Sequence, residues 1–372
     1  MRSCSFARVV GISLLTLVPG VLGGSERYAR ELVRGLARVG ELEYRVLTPS
    51  IAPDAADGLP NRTIHSYRAS RSTVGRIGAM SLALTAPGRI RREAGAEELG
   101  CVHYALTTTV PPLGPPAVVT LQDLQHELFP QFFSRAERVY RRLLYHGAAR
   151  RSRLLIVPTE HTKETVIDRL GVDTARIRVI PYGVDHERFR PSGRTRQEFI
   201  LYPANRWPHK NHARLFQAFG TLRETRPQLR LILTGGGLER LEPLPEGVEN
   251  LGSVTASQLA SLYRRAACLV YPSLYEGFGI PPLEAMACGC PVAASNVGAI
   301  PEVCGDEAVL FDPTDVEAMA SAMLEADGRR EELRELGLAR SSLFTWDETA
   351  RGHEAVYRGA LNGAPAGTPT SG

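Results

Sequence analysis

Residues 271–291 read YPSLYEGFGIPPLEAMACGCP, and two carboxylates in that stretch, Glu276 and Glu284, stand eight residues apart. Glu276 is followed by Gly277, Phe278, Gly279 and Ile280, and then by Pro281 and Pro282. Proline is favoured in the first turn of a helix, where its missing N–H costs nothing. The pattern therefore predicts a helix starting near Pro282, with Glu284 in its first turn. Glycine lets backbone amides approach a ligand closely, and a helix N-terminus adds unpaired N–H groups and partial positive charge. Residues 277–280 would then form an anion cradle flanked by two carboxylates. A sugar nucleotide needs both: amides for its pyrophosphate and carboxylates for its sugar hydroxyls. The competing reading makes Glu276 a loop charge and Glu284 a complement to the helix dipole.

A second cluster, NRWPHKN at 205–211, follows an apolar run at 199–202. Arg206 offers a planar fork of donors and Lys210 a compact point charge, and both suit a pyrophosphate. Read alone, the segment is equally a solvated basic turn. Gly235 opens a Gly-Gly-Gly run after a strand candidate, and Gly23-Gly24 follows the first apolar run. Each fits close nucleotide approach or a plain tight turn. Residues 119–133 carry Asp123 and His126.

The 271–291 segment resembles the Glu-x7-Glu motif of retaining glycosyltransferases of family 4, which have the GT-B fold. The resemblance extends over nearly the whole chain and implies that Glu276 contacts the donor sugar and Glu284 the nucleotide ribose. Arg206 and Lys210 look like the family's Arg…Lys pair, which neutralises the leaving nucleoside diphosphate; stabilising charge that develops in the transition state lowers the barrier. Gly23-Gly24 resembles the glycine loop near the donor phosphate. Residues 119–133 resemble the acceptor-side loop, usually His-Asp where this chain has Gln122-Asp123, so no histidine role passes to Gln122. Asp123 and His126 are the acceptor-positioning candidates.

The resemblance implies transfer of a hexose, mannose favoured, from a GDP- or UDP-linked donor to a saccharide or lipid-linked acceptor, in the cytoplasm or on the inner membrane face. No Asp-x-Asp triplet occurs; that triplet holds the metal in the other large glycosyltransferase fold. Arg206 and Lys210 would replace it, so no metal or other cofactor is expected. A nucleotide-sugar epimerase and a non-catalytic nucleotide-sugar binding protein are the alternatives. A dinucleotide-dependent oxidoreductase fits poorly, because the first glycine turn lacks Gly-x-Gly-x-x-Gly spacing.

The elements around these residues follow from patterning. The 372 residues suffice for two domains, and a net charge of +4 is too small to imply nucleic acid. Only Lys163 and Lys210 are lysines, and the other basic residues are arginine. Six cysteines show no paired spacing for zinc. The apolar run 9–22 follows Arg2 and Arg8 like a secretory leader, but the glycine turn and helical spacing after it predict a buried strand, a turn and a helix. No run is long enough to span a membrane.

Strands are expected at 9–17, 43–47, 117–121 and 154–158, with helices at 26–39, 136–150 and 163–170. The second half repeats the alternation, with strands at 199–202, 230–233, 268–271 and 291–294 and helices at 213–226, 257–266 and 316–327. Such alternation predicts parallel sheets covered by helices: an α/β chain of two Rossmann-like domains, with ligands bound in the cleft between them. The expected division is 1–187 for the acceptor side, 188–345 for the donor, 346–362 for a helix crossing back to the first domain, and 363–372 for a disordered tail. Residues 135–153 alternate arginines with Val139, Tyr140, Leu143, Leu144 and Tyr145, a pattern that fits either peripheral membrane contact or one face of a packed helix.

Overall fold

A computed structural model describes residues 9–193 and 196–362. The chain divides into two compact units: the first takes the chain up to Pro181 and again from Trp346, and the second spans Tyr182–Thr345.

The first unit is built on seven parallel strands: β1 (Val9–Ser13), β2 (Tyr44–Pro49), β3 (Asn61–Ile64), β4 (Leu99–Tyr104), β5 (Ala117–Thr120), β6 (Leu154–Val157) and β7 (Ile177–Val179). Their order is β3-β2-β1-β4-β5-β6-β7. Val10 pairs with Tyr44 on one side and Cys101 on the other. The connections are α1 (Gly24–Val39), α2 (Thr73–Thr85), α3 (Gly88–Ala94), α4 (Gln125–Leu128), α5 (Arg135–Arg151) and α6 (Glu160–Leu170). β6 is buried at every position, as expected of a strand covered on both faces. Helix starts follow local chemistry: Ser134 and Glu137 close a capping box on α5, and Thr159 accepts from the Thr162 amide to start α6.

The second unit has six parallel strands: β8 (Phe199–Pro203), β9 (Arg230–Thr234), β10 (Val248–Asn250), β11 (Cys268–Tyr271), β12 (Val292–Ser295) and β13 (Val309–Phe311). They run in the order β10-β9-β8-β11-β12-β13. Helices α7 (His212–Thr225), α8 (Ala256–Arg265), α9 (Ile280–Ala287), α10 (Ile300–Cys304), α11 (Val316–Gly328) and α12 (Arg330–Ser342) connect them. Strand order reverses between β8 and β11, the kind of place where doubly wound sheets bind ligands.

The last helix, α13 (Trp346–Leu361), returns to the first unit and packs along α1. A buried chain of hydrogen bonds holds it. His353 Nδ1 lies 2.7 Å from the Thr349 carbonyl, which can only accept, so Nδ1 carries the proton. His353 Nε2 therefore accepts from the Tyr28 hydroxyl at 2.7 Å. Tyr28 oxygen accepts from Thr120 at 2.7 Å, Thr120 accepts from His103 Nε2 at 2.8 Å, and His103 Nδ1 accepts from Tyr357 at 2.8 Å. Every group is satisfied with both imidazoles neutral. Burial holds His353 down to about 4 and His103 well below its ordinary value.

Several expectations need correction. The first strand ends at Ser13, and Leu14, Leu15, Leu17 and Val18 are buried in the turn region after it. The unit boundary falls at Tyr182 rather than 188, because the connector after Pro181 already packs in the second unit: Tyr182 lies against Phe278, ring centroids 4.8 Å apart. Patterning missed β3, β4, β7 and β10, short strands with polar or glycine interruptions, the three-residue β13, and also α2, α3, α4, α10 and α12. The five described cysteines are free and buried. Cys4 and the expected tail at 363–372 lie outside the described residues.

The neutral histidines set a pH dependence. An unfolded imidazole takes a proton near pH 6.5, whereas His353 in the folded chain resists until about pH 4. The unfolded state binds more protons in that window, so stability is full above pH 7 and falls as pH drops from about 6.5 toward 4. Urea midpoints measured across pH 7.5 to 4.5 should decline steadily; a flat profile down to pH 5 contradicts neutral burial.

Candidate functional site

The loops after β8 and β11 meet within the second unit. After Pro203 the chain makes a 3-10 turn at Pro208–Lys210 and enters α7 through Asn211, which takes the left-handed conformation at φ 61°. The Asn211 amide donates to the Pro272 carbonyl at 3.1 Å and the Pro313 carbonyl at 2.7 Å. The Leu274 N–H donates to the His209 carbonyl at 2.7 Å, and the Tyr202 hydroxyl donates to the Lys210 carbonyl at 2.6 Å. These bonds tie the two loops together before any side chain meets a ligand.

Lys210 Nζ then lies 2.5 Å from Glu276 Oε1 and 3.2 Å from the Tyr271 hydroxyl, with its charge 5.1 Å from the Tyr271 ring centroid. Both members of the ion pair are more than four-fifths buried. Burial pushes the Glu276 carboxyl up, but the charge and hydrogen bond of Lys210 outweigh it, and the carboxyl ends below its usual range. Glu276 is thus an anion at neutral pH. Its carbonyl accepts from the Ala299 N–H at 3.2 Å, which fixes the loop.

Burial, reinforced by Lys210, lowers His209 and His212 to about 4 each, and Arg206 adds to the effect at His212. The positive charge of the 205–211 loop at neutral pH therefore belongs to Arg206 and Lys210. Arg206 is exposed, and no carboxylate pairs with it among the described residues. Its N–H donates to the Gly236 carbonyl at 3.1 Å, and the Asn205 side chain accepts from the Gly236 N–H at 2.7 Å. Gly235 sits at φ 146° where a side chain would run into the Ala204 carbonyl. Close packing against the 204–206 loop accounts for this glycine.

The predicted cradle differs from expectation in two ways. α9 begins at Ile280, not Pro282, because Gly279 takes φ 97° and turns the chain two residues earlier. Pro281 and Pro282 then remove two amides from the first turn, leaving those of Ile280 and Leu283 among its first four residues. Glu284 falls beyond that turn. It is wholly buried, and Tyr263 donates to its Oε2 at 3.2 Å. Phe278 is also buried, packed between Tyr182 and Phe344, so its ring anchors the loop.

The other expected residues lie in the first unit. Gly23 precedes α1 at φ 53°, and Gly24 is its first residue, with open space where a Cβ would stand. Ser25 Oγ donates to Gln122 Oε1 at 2.5 Å, joining the glycine loop to the 122–126 segment. Asp123 Oδ1 accepts from the Gln125 N–H at 3.1 Å. His126 is wholly buried, edge-on to Tyr145 and Phe133, with burial holding it to about 4. Its neighbour Glu127 accepts from Arg142 and His146 at 2.8 and 3.0 Å; Arg142, despite partial burial, brings it to about 2. Patterning overlooked Tyr271 and Glu127. Tyr271 ends β11 directly before the glutamate loop, which was the available signal for it. Among the described residues, no group of three or more His, Cys, Asp or Glu is placed to hold a metal ion.

Two doubly wound parallel sheets in one chain define an α/β protein of the GT-B class. Residues 22–188 match Glycosyltransferase Family 4 and residues 184–337 match Glycosyl transferases group 1, so the chain joins a domain of each of these two glycosyltransferase families. It is 41% identical over 164 residues to O-antigen chain mannosyltransferase B of Escherichia coli, covering 41% of this chain and 43% of that protein. It is 32% identical over 223 residues to MMP alpha-(1->4)-mannosyltransferase of Mycolicibacterium hassiacum, covering 56% and 54%. The aligned parts thus span about half the length of these relatives. Sucrose-phosphate synthase from Thermosynechococcus elongatus shares the fold, with a TM-score of 0.77 at 21% identity over 96% of this chain and 100% of that one.

The backbone at Gly279 offers a direct check. Alanine there must adopt φ 97° and crowd Ile300 Cδ1 at 2.5 Å. Gly279→Ala should cost about 1–3 kcal/mol of stability in urea unfolding; a loss below about 0.5 kcal/mol would contradict the left-handed cap.

Proposed function

We propose that the chain transfers a hexose, mannose favoured, from a nucleotide diphosphate sugar to a saccharide or lipid-linked acceptor, with retained anomeric configuration and without a metal. The observation that carries the reading is the preassembled trio of Lys210, Glu276 and Tyr271 beside the uncompensated charge of Arg206. The preference for mannose is supported by the names of the two relatives.

In this scheme the bond from the sugar's anomeric carbon to the diphosphate oxygen breaks, and a bond to the acceptor oxygen forms on the same face. The acceptor proton passes to the departing phosphate oxygen, so no side-chain nucleophile is needed. Arg206 and Lys210 meet the charge that grows on the diphosphate, and the amides of 277–280 line its path; the Gly235 N–H is already given to the Gly252 carbonyl at 2.9 Å. Preorganised donors of this kind are each worth roughly 10²–10³ in rate. Glu276 accepts from sugar hydroxyls while holding Lys210 in place. In the first unit, Asp123 is the residue that positions the acceptor. His126, neutral and enclosed, shapes that loop from beneath. Val139 and Leu143, exposed beside Arg142 on α5, support peripheral membrane contact at the inner face.

The first test is nucleoside diphosphate release from GDP-, UDP- and ADP-hexoses, with EDTA and without acceptor. Slow hydrolysis of one donor in EDTA is expected, and Arg206→Ala, Lys210→Ala and Glu276→Ala should each reduce it by about 10²-fold or more. Near-normal rates in all three would sink the assignment. Glu284→Gln separates two roles: ribose recognition raises KM, whereas support of the wall beneath α9 lowers the melting temperature at constant KM.

A further inference from the structure

Trp207 is the aromatic side chain that the fold leaves in the open. Among the described residues every other Phe, Tyr and Trp is buried or half-buried, whereas Trp207 is 51% exposed. It stands between Arg206 and the 3-10 turn at Pro208–Lys210, so the exposed ring belongs to the loop that carries both cations of the site. A lone exposed aliphatic side chain is ordinary on a protein surface. An indole on a locked loop is different, because it offers a large contact area with little rotamer freedom left to lose.

The loop holds the ring in place. The Trp207 N–H donates to the Asn205 carbonyl at 2.8 Å, and the Trp207 carbonyl accepts from the Lys210 N–H at 2.9 Å. Proline restricts the residue before it to extended backbone, and Trp207 lies there at φ −82° and ψ 145°. The indole leans on the His209 imidazole, ring centroids 5.6 Å apart and planes at 47°. His209 is itself buried, and its carbonyl is bonded to the Leu274 N–H. Part of the indole is thus anchored to the wall of the donor loop, and the rest faces solvent.

The surroundings select the kind of ring that fits there. Both backbone groups of Trp207 are used inside the turn. The Arg206 N–H is given to the Gly236 carbonyl at 3.1 Å, and the Pro208 carbonyl accepts from the Asn211 N–H at 3.3 Å. A nucleobase is recognised along its polar edge, and these backbone groups are already committed. A pyranose needs no such edge contacts, because its C–H bonds turn slightly positive hydrogens toward the negative face of an aromatic ring. Depth then separates the two sugars of a transfer. Lys210 and Glu276 are more than four-fifths buried, so a donor hexose bonded to Glu276 lies inside, and a ring resting on the exposed indole is a second sugar.

We propose that Trp207 is the platform for a pyranose ring of the acceptor, which makes it a specificity-determining residue for a saccharide acceptor. This role rests on the reading that Lys210 and Glu276 hold the donor, but contact with the ring is measurable without turnover.

The test reads tryptophan emission of the full chain. The chain has two tryptophans, and Trp346 is only 3% exposed, so quenching by acrylamide reports Trp207; Trp207→Phe should abolish it. The probes are the methyl α-glycosides of mannose, glucose and galactose, used up to about 100 mM because a single ring contact is weak, and GDP and UDP alone. At least one glycoside should lower the quenching constant twofold or more, with far less protection from either nucleotide. With the protecting glycoside as acceptor, Trp207→Ala should raise its KM at least tenfold with kcat within twofold and an unchanged melting temperature, and Trp207→Phe should restore most of the loss. Protection by GDP or UDP but by no glycoside would give the ring to the nucleobase and overturn the proposal. No protection by any of the three glycosides, or an unchanged KM in Trp207→Ala, would overturn it as well. Glycoside protection without turnover of any donor would support the subsite and count against the transfer reading alone.

Discussion

The second unit is organised around one ion pair, Lys210 with Glu276. Removing two charges from water is costly, and their attraction compensates only when they are close and their remaining valences are filled. Here the separation is 2.5 Å, and Tyr271 takes another of the ammonium's donors. Such closeness cannot come from flexible side chains alone. It requires the loops after β8 and β11 to be locked, which Asn211, Tyr202 and the His209–Leu274 backbone bond accomplish. Those loops meet because β8 and β11 are neighbours at the point where the strand order reverses. A lysine in a chain otherwise supplied with arginine fits the same requirement. A compact ammonium can serve a carboxylate and a phenol from different directions, where a planar fork would demand coplanar partners.

Lys210 and Arg206 divide the labour of positive charge. Lys210 is positioned in advance, partly neutralised and shielded. Arg206 stands in solvent with no carboxylate to satisfy it among the described residues. His209 and His212 beside them stay neutral because burial and these same cations keep them so. The loop therefore keeps one enclosed and one exposed charge rather than a diffuse basic surface.

Much of this was legible before any coordinates. Glu276 in a glycine loop and Arg206 and Lys210 in the loop after a strand stood out by residue type and spacing, whereas the ion pair between Lys210 and Glu276 did not. The long helices and most buried strands followed from spacing. Polar interruptions hid β4, whose His103 is buried only because Thr120 and Tyr357, far along the chain, satisfy it. α2 was hidden for the opposite reason, since its apolar positions point outward as well as inward and blur the helical period. The start of α9 was misplaced because proline tolerance at a first turn does not say which proline comes first. A left-handed Gly279 decided it. The burial of Glu284 and His126 was invisible, because a residue type says nothing about how deeply tertiary packing will enclose it.

The hydrogen-bonded chain from Tyr357 to the Thr349 carbonyl has a consequence for how the protein is made. Its members come from α1, β4, β5 and α13, so the first unit's interior is assembled from both ends of the chain. The second unit, Tyr182–Thr345, is contiguous and can complete itself as it emerges. The first cannot, because α13 is made only after the whole of the second unit. At synthesis rates of about 5–20 residues per second, roughly 10–40 s separate the two halves of one core. During that time Tyr28, Thr120 and His103 lack their final partners. In order of synthesis the first unit begins before the second and is completed after it.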